Sequence, residues 1–273
     1  MGIDLKSAQI DERGIKDDRG WLLIGDDNVA LTQRDLSAMV HISAEIVASA
    51  GSGTGRSILL RAPQMPDLKV PEIDLSTNGG GADVKGANAC HEQLTVSVWD
   101  DPCQAVDQGA EASEWLSTFL KHKVRMVRMS RDNVRKVPLK KKESFEGIVG
   151  FADVYPFLVI STASLVDLNG RLKEPVPMDR FRPNIVIDGV EPFAEDTWTH
   201  IKIGDIRFAI DKPCARCVIV TIDQKTGKQL KEPLATLATY RREDDKVMFG
   251  QNAVHDKTGS IKVGDPVEIL SVK

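Results

Sequence analysis

Two cysteines, Cys214 and Cys217, stand three positions apart in "DKPCARCVIVTID" (211–223), with Ala215 and Arg216 between them. That spacing suits half a zinc knuckle, a redox dithiol, or a soft thiolate ligand for a larger group. A four-cysteine zinc site uses two such knuckles, and the chain's other cysteines, Cys90 and Cys103, lie far upstream without close partners. Redox dithiols usually open a helix, whereas the β-branched run "CVIVTI" predicts a stiff strand directly after the motif. The thiolate is the nucleophilic and metal-binding form, and a neighbouring arginine favours it. A dithiol and a pair of inert cysteines remain alternatives to a metal ligand.

Other residues of chemical type carry weaker signals. Glu195 and Asp196 resemble paired carboxylates, but adjacent residues on a strand face opposite ways. His200 and His255 are acid–base candidates by type only. The basic stretch 131–147, "RDNVRKVPLKKKESFEG", reads as a solvated crossing between two halves of the chain rather than an anion patch.

The elements that must position these residues are mostly strands. "GWLLIGDDNVALTQ" (20–33) predicts a hairpin and "LTVSVWD" (94–100) an alternating strand. Residues 49–57 and 76–89, rich in Gly, Ser and Asn, predict exposed loops. "DQGAEASEWLSTFLKH" (107–122) predicts a helix capped by Asp107, with Trp115, Leu116, Phe119 and Leu120 on one face. "YPFLVIS" (155–161) predicts an apolar strand, followed by a capped helix over 162–172 with Leu165, Leu168 and Leu172 inward. "IKIGDIRFAI" (201–210) and "IKVGDPVEIL" (261–270) echo one another, and each predicts a hairpin around a Gly-Asp turn. Together these predict a compact, largely antiparallel second half.

The 273 residues allow one large domain or two ordinary ones, and 41% hydrophobic with 28% charged residues fits a globular chain. A formal net charge of −4 argues against bulk attraction to nucleic acid. No apolar run approaches the roughly 20 residues that span a bilayer. The opening "MGIDLKSAQIDERG" has neither an apolar signal core nor an Arg-rich presequence, so a cytoplasmic location is expected.

Several strings in fixed order resemble one family. They are "RFRPNIVIDG" (180–189), "AEDTW" (194–198), "IKIGD" (201–205), "KPCARC" (212–217), "EPLATLATYR" (232–241), "FGQN" (249–252) and "IKVGDPVEIL" (261–270). The family is that of MOSC domains, named for the C-terminal domain of molybdenum cofactor sulfurase. Within it the chain is most similar to the mitochondrial amidoxime reducing components and bacterial relatives that detoxify N-hydroxylated bases. "ERGIKDDRGWLLI" (12–24) and "VWDDPCQAVDQGAEASEWLSTFL" (98–120) resemble the family's N-terminal domain.

The resemblance implies a mostly β (α+β) chain: an N-terminal β-barrel-like domain over 1–125 and an antiparallel MOSC β-barrel over 126–273. The family's opening strand, roughly Tyr-Pro-Ile-Lys-Ser with a phosphate-binding lysine, has no counterpart at Lys6-Ser7, so that strand is expected to be missing. If truncation removed it, a mitochondrial location is the alternative. The resemblance also implies a molybdenum cofactor, Mo-molybdopterin, with Cys217 as metal ligand and catalytic residue. Arg34, Asp153, Arg182, Asn184, Ala215 and Arg216 fall on its cofactor-binding positions. An arginine fork holds a phosphate bidentately, as a lysine does not. Pro183 biases Arg182 towards extended backbone, which would put Arg182 and Asn184 on one face. On the residues alone, Arg34 reads equally as a surface charge and Asp153 as a turn aspartate.

The implied activity is reduction of N-hydroxylated small molecules, N–OH to N–H. Electrons would come from a separate ferredoxin-, flavin- or cytochrome b5-type protein, with no nucleic-acid partner and no transmembrane segment. Two rivals stand beside it: a sulfur carrier with a persulfide on Cys217, and a cofactor-free binding module. The cofactor sulfurases themselves carry a separate pyridoxal-phosphate domain, for which this chain has no room.

Overall fold

Strands whose side chains alternate between apolar and polar bury one face, and this pattern builds the first of two compact units, Arg19–Val134 with Gln224–Gly227. The computed structural model of the chain describes residues 4–48, 56–73, 84–86 and 89–273. In this unit Leu94, Val96 and Val98 point inward from strand Gln93–Val98. That strand pairs with Asp101–Asp107, then Arg125–Met129, Trp21–Ile24 and Ala30–Leu31 in an antiparallel sheet. The predicted hairpin over 20–33 is therefore present. A second sheet joins Ser43–Ala48, Arg56–Arg61 and Leu68–Pro71.

The helix runs over Ala110–Leu120 and buries Trp115, Leu116 and Leu120 against Ile58, Leu60 and Val70, with Phe119 packed partly at the margin. Its expected cap is corrected. Asp107 ends a strand, where it accepts from Gly109 N and pairs with Arg125 Nε at 2.7 Å, and Gly109 occupies the cap. Of the two expected loops, 49–55 lies outside the described residues. Part of the second is a hairpin of Val84–Gly86 with Ala89–His91, and the rest lies outside them.

The second unit gathers residues 2–18, 135–223 and 228–273. Its main sheet runs in the order Ile185–Ile187, Phe157–Ser161, Lys246–His255, Ile206–Arg216, Trp198–Ile203, Val267–Val272, with only the first pair parallel. Phe157 and Phe208, both fully buried, meet edge-on at 5.1 Å in the core beneath it. The helix Thr162–Arg171 begins as predicted: Ser161 Oγ accepts from Ser164 N at 3.0 Å, while Leu168 and Leu172 are buried. Among the described residues, strands dominate and three α-helices occur, so the expected mostly-β class holds.

Two expectations fail here. "IKIGD" does form a hairpin, Trp198–Ile203 with Ile206–Arg216. Its echo "IKVGD" does not. Lys262 and Asp265 close the same kind of turn, but Pro266 follows and the two arms part. Gly259–Lys262 pairs with Ser7–Asp11, and Val267–Val272 pairs with Trp198–Ile203. Nor is 131–147 solvated throughout. Asn133, Arg135 and Val137 are buried, and Arg135 donates to the carbonyls of Gly150, Ala152 and Asp153. Buried donors must find acceptors: the backbone amides of Lys140 and Lys141 find Asp211, and the Arg135 guanidinium finds the carbonyls on 150–153.

Candidate functional site

The cysteine motif lies at the end of strand Ile206–Arg216, and the way that strand loses step with its neighbour shapes the site. Up to Ile210 it pairs regularly with Lys246–His255. Between Ile210 and Lys212 it carries one extra residue, Asp211. Between Gln251 and Met248 the neighbour carries the extra residue, beside Gly250, and the original register returns at Ala215 and Arg216. Bulges of this kind re-aim side chains next to functional sites. Gly250 has φ +80, and a Cβ there would stand 2.6 Å from Ile160 Cγ1 and 3.0 Å from Val159 O, so only glycine fits.

The first bulge turns Asp211 into a buried clasp. Its carboxylate accepts from Lys140 N at 2.9 Å, Lys141 N at 3.0 Å, Ser144 Oγ at 2.6 Å and the Tyr155 hydroxyl. Burial alone would raise its pKa. The hydroxyls of Ser144 and Tyr155, then the two amides, outweigh that and hold it below the usual carboxylate range.

Cys217 does not open a strand, contrary to expectation. It caps a 3₁₀ turn, Val218–Thr221, because the β-branched run folds into a turn stitched by Val220 N to Cys217 O at 3.3 Å. The contrast between a strand-opening motif and a helix-opening dithiol therefore no longer separates the two readings. Cys214 is half-buried within the strand and Cys217 half-buried at the turn, and Cys103, Cys214 and Cys217 carry no disulfide. Arg216 meets Cys214: Nη1 donates to Cys214 Sγ at 3.1 Å and Nη2 to Phe181 O at 2.7 Å. Its Nε is buried with no hydrogen-bond partner among the described residues. Ala215 is exposed and presents only backbone and a methyl group.

A second arginine, Arg180, was missed by sequence reasoning. It is 3% exposed, donates from Nη1 to Val220 O at 3.2 Å and pairs through Nη2 with Asp223 at 3.0 Å. Arg180 reaches forward to the turn that Cys217 caps, while Arg216 reaches back to Phe181. The two guanidiniums lock 178–184 and 214–223 together. Nothing in "MDRFRPN" marks the first arginine as the buried one; the signal lies in the tertiary contact.

The "RPN" string behaves differently from expectation. Arg182 has φ +55, a left-handed backbone, so Pro183 does not hold it extended. Asn184 braces strands: Oδ1 accepts from Leu158 N at 3.0 Å and Nδ2 donates to Asp18 Oδ2 at 2.8 Å. Asp153 is exposed, and its carbonyl accepts from Arg135 Nη2 at 2.7 Å. Arg34, in the first unit, lays its guanidinium over the Trp99 ring at 4.6 Å.

The other candidates are structural. Glu195 and Asp196 sit on a 3₁₀ turn rather than a strand. Glu195 accepts from Ser161 N and Ser164 Oγ, and Asp196 pairs with Arg241 at 2.6 Å. His255 is buried, and its Nε2 donates to Asp11 O at 2.7 Å; burial lowers its pKa and keeps it neutral. His200 bridges Ser271 and the Glu143 carbonyl. No cluster of three or more His, Cys, Asp or Glu able to hold a metal occurs among the described residues.

Comparison with known proteins fits this picture. The MOSC domain matches residues 146–268, and the MOSC N-terminal beta barrel domain matches residues 1–123. Mitochondrial amidoxime-reducing component 1 of Xenopus laevis is 31% identical over 97% of this chain and 77% of its own length. The chain belongs to the MOSC-domain family. Component 1 of Danio rerio is 33% identical over 97% of this chain and 79% of its own length. Component 2 of Homo sapiens is 33% identical over 97% and 78%. In this MOSC protein no helix among the described residues is long and apolar enough to cross a membrane.

Proposed function

We propose that this MOSC protein reduces N-hydroxylated compounds through a molybdenum cofactor ligated by Cys217. The observation that carries the reading is one half-buried thiol at a turn locked by the buried Arg180 and the half-buried Arg216, in a chain similar over 97% of its length to proteins named amidoxime-reducing components. The donor set fits such a group. With no cage of His, Cys, Asp or Glu among the described residues, a metal here would take one thiolate from the chain and its other ligands from the cofactor. The buried, unpartnered Arg216 Nε fits an acceptor supplied from outside the chain.

When bound, the cofactor supplies the two-electron redox chemistry, and the chain supplies position and environment. The balanced conversion is R–NH–OH + 2 e⁻ + 2 H⁺ → R–NH₂ + H₂O, with the electrons from a separate donor protein. In this reading Arg182 offers a guanidinium to the cofactor's phosphate, and the amide of Asn184 fixes the end of the segment that carries it. Asp153 offers an exposed carboxylate, and Ala215 leaves the approach open. Arg180 and Arg216 hold Cys217 and Arg182 in one geometry.

The test is molybdenum and pterin analysis of purified protein, with turnover of an amidoxime by a reduced dye. Cys217→Ala is expected to abolish turnover per molybdenum, and Cys214→Ser to keep most of it. Equal, complete loss in both would instead mark a dithiol, because both sulfurs are needed to close and reopen a disulfide. Sulfane sulfur on Cys217 without molybdenum would mark a sulfur carrier.

A further inference from the structure

Strand alternation sends Phe208 and Ile210 into the apolar core, and Lys212 is next in that series. A lysine there would bury a charge. The extra residue at Asp211 turns Lys212 out of the series, and its Nζ lies over the Tyr155 ring, 5.1 Å from the centroid. Tyr155 is the residue whose hydroxyl fills Asp211, so Asp211 and Lys212 share one side of the strand.

Asp211 is a poor counterion for this lysine. It is 1% exposed, and both its oxygens already accept from two amides and two hydroxyls. Those same bonds bring Lys140 and Lys141 to the bulge. Lys141 is used: its Nζ donates to Ile210 O at 2.7 Å, with Glu143 nearby. Lys140 and Lys212 make no ion pair with a carboxylate among the described residues. Burial first, and then the charge of Lys140, push Lys212 below the ordinary lysine range; Asp211 and Cys214 oppose this, and Lys246 adds to it. An anion arriving beside Lys212 would relieve the repulsion between these ammonium groups.

We propose that Lys212, aimed by the bulge and supported by Lys140, is an oxyanion subsite beside the cysteine motif that selects N-hydroxylated substrates bearing a carboxylate. The substrate assignment rests on the proposed function. The anion site itself rests only on the placement of Lys212 between a saturated carboxylate, an aromatic face and Cys214, two residues along the strand.

The experiment compares a neutral aromatic amidoxime with its carboxylate-bearing counterpart in wild type and Lys212→Gln. A charged hydrogen bond corresponds to roughly a 10- to 100-fold change in binding. KM for the carboxylated substrate is therefore expected to rise at least about tenfold while that for the neutral one holds, and Lys212→Arg is expected to restore most of the difference. In parallel, calorimetry titrates benzoate and benzamide into the same proteins. Wild type is expected to take benzoate in preference, and Lys212→Gln to lose the preference.

Absence of turnover with either amidoxime would end the functional reading, while the calorimetric result would still decide the anion site. Equal affinity of wild type for benzoate and benzamide would overturn the proposal. So would loss of pterin in Lys212→Gln with an unchanged benzoate isotherm, because the oxyanion would then belong to the cofactor.

Discussion

Strand Ile206–Arg216 has two halves that do different work. Up to Ile210 it pairs in regular register, Ile206–Ala209 with one neighbour and Phe208–Ile210 with the other, and Ile206, Phe208 and Ile210 are driven into the core. From Asp211 to Cys214 it runs out of step with Lys246–His255, and it holds a buried aspartate bonded to Ser144 and Tyr155 followed by a half-buried lysine, proline and cysteine. The register regained at Ala215 is the one lost at Ile210, so the irregularity spans only the segment that precedes Cys217. Regular pairing commits alternate side chains to the core, whereas a compensated bulge exempts a few residues from that rule without disturbing the sheet beyond them.

The most severe test of this division is in the regular half. Phe208 is fully buried against Phe157, and Phe208→Ala is expected to lower stability by about 3–5 kcal/mol, read as a fall in the urea midpoint. A loss below about 1 kcal/mol would show that the regular half is not the structural one.

In the irregular half, Asp211→Asn keeps the shape but sets an amide N–H against donors that need an acceptor. The expected loss is about 1–3 kcal/mol, smaller than for Phe208. Its pH dependence sharpens the assignment. The folded-state pKa of Asp211 lies below its unfolded value, so its contribution is fully present above the unfolded value near roughly pH 4 and fades as pH falls through the lower folded one. The gap between wild type and variant should therefore narrow only in acid. A gap constant down to about pH 2 would rule out the carboxylate as the cause.

The smallest effect is expected at Cys214→Ser. Arg216 Nη1 donates to Cys214 Sγ, and a serine oxygen also accepts, so melting should shift by less than about 1 kcal/mol in equivalent stability. A larger drop would move Cys214 from the site to the core.

Much of the fold could be read directly, because it depends on local period and turn chemistry. The hairpin at "IKIGD", the strand 157–161 and the Ser161-capped helix all follow from residues near in sequence. The second hairpin failed for the complementary reason. "IKVGD" has the same turn chemistry, but partners 60 or more positions distant in sequence, Ser7–Asp11 and Trp198–Ile203, capture its two arms. At the site, the spacing of Cys214 and Cys217 identified the motif. Its geometry was illegible because the β-branched run folds to a 3₁₀ turn, and because the bulge at Asp211 arises from a register fixed jointly with Gly250. Arg180 was invisible for a simpler reason: a buried arginine and a surface arginine look alike until their acceptors, Val220 O and Asp223, are in place.

The pairing of Ser7–Asp11 with Gly259–Lys262 has a bearing on how this molecule is made. The earlier strand leaves the ribosome well before its partner, which follows about 250 positions later. At translation rates of roughly 5–20 residues per second, that is on the order of tens of seconds during which, among the described strands, its pairing is with Gly14–Ile15 on one edge. Completion of the second unit thus waits for the later strand, and the nascent strand "SAQID" carries its own protection in the meantime: it is short, and its exposed positions include a serine and a glutamine with a single fully buried isoleucine between polar neighbours.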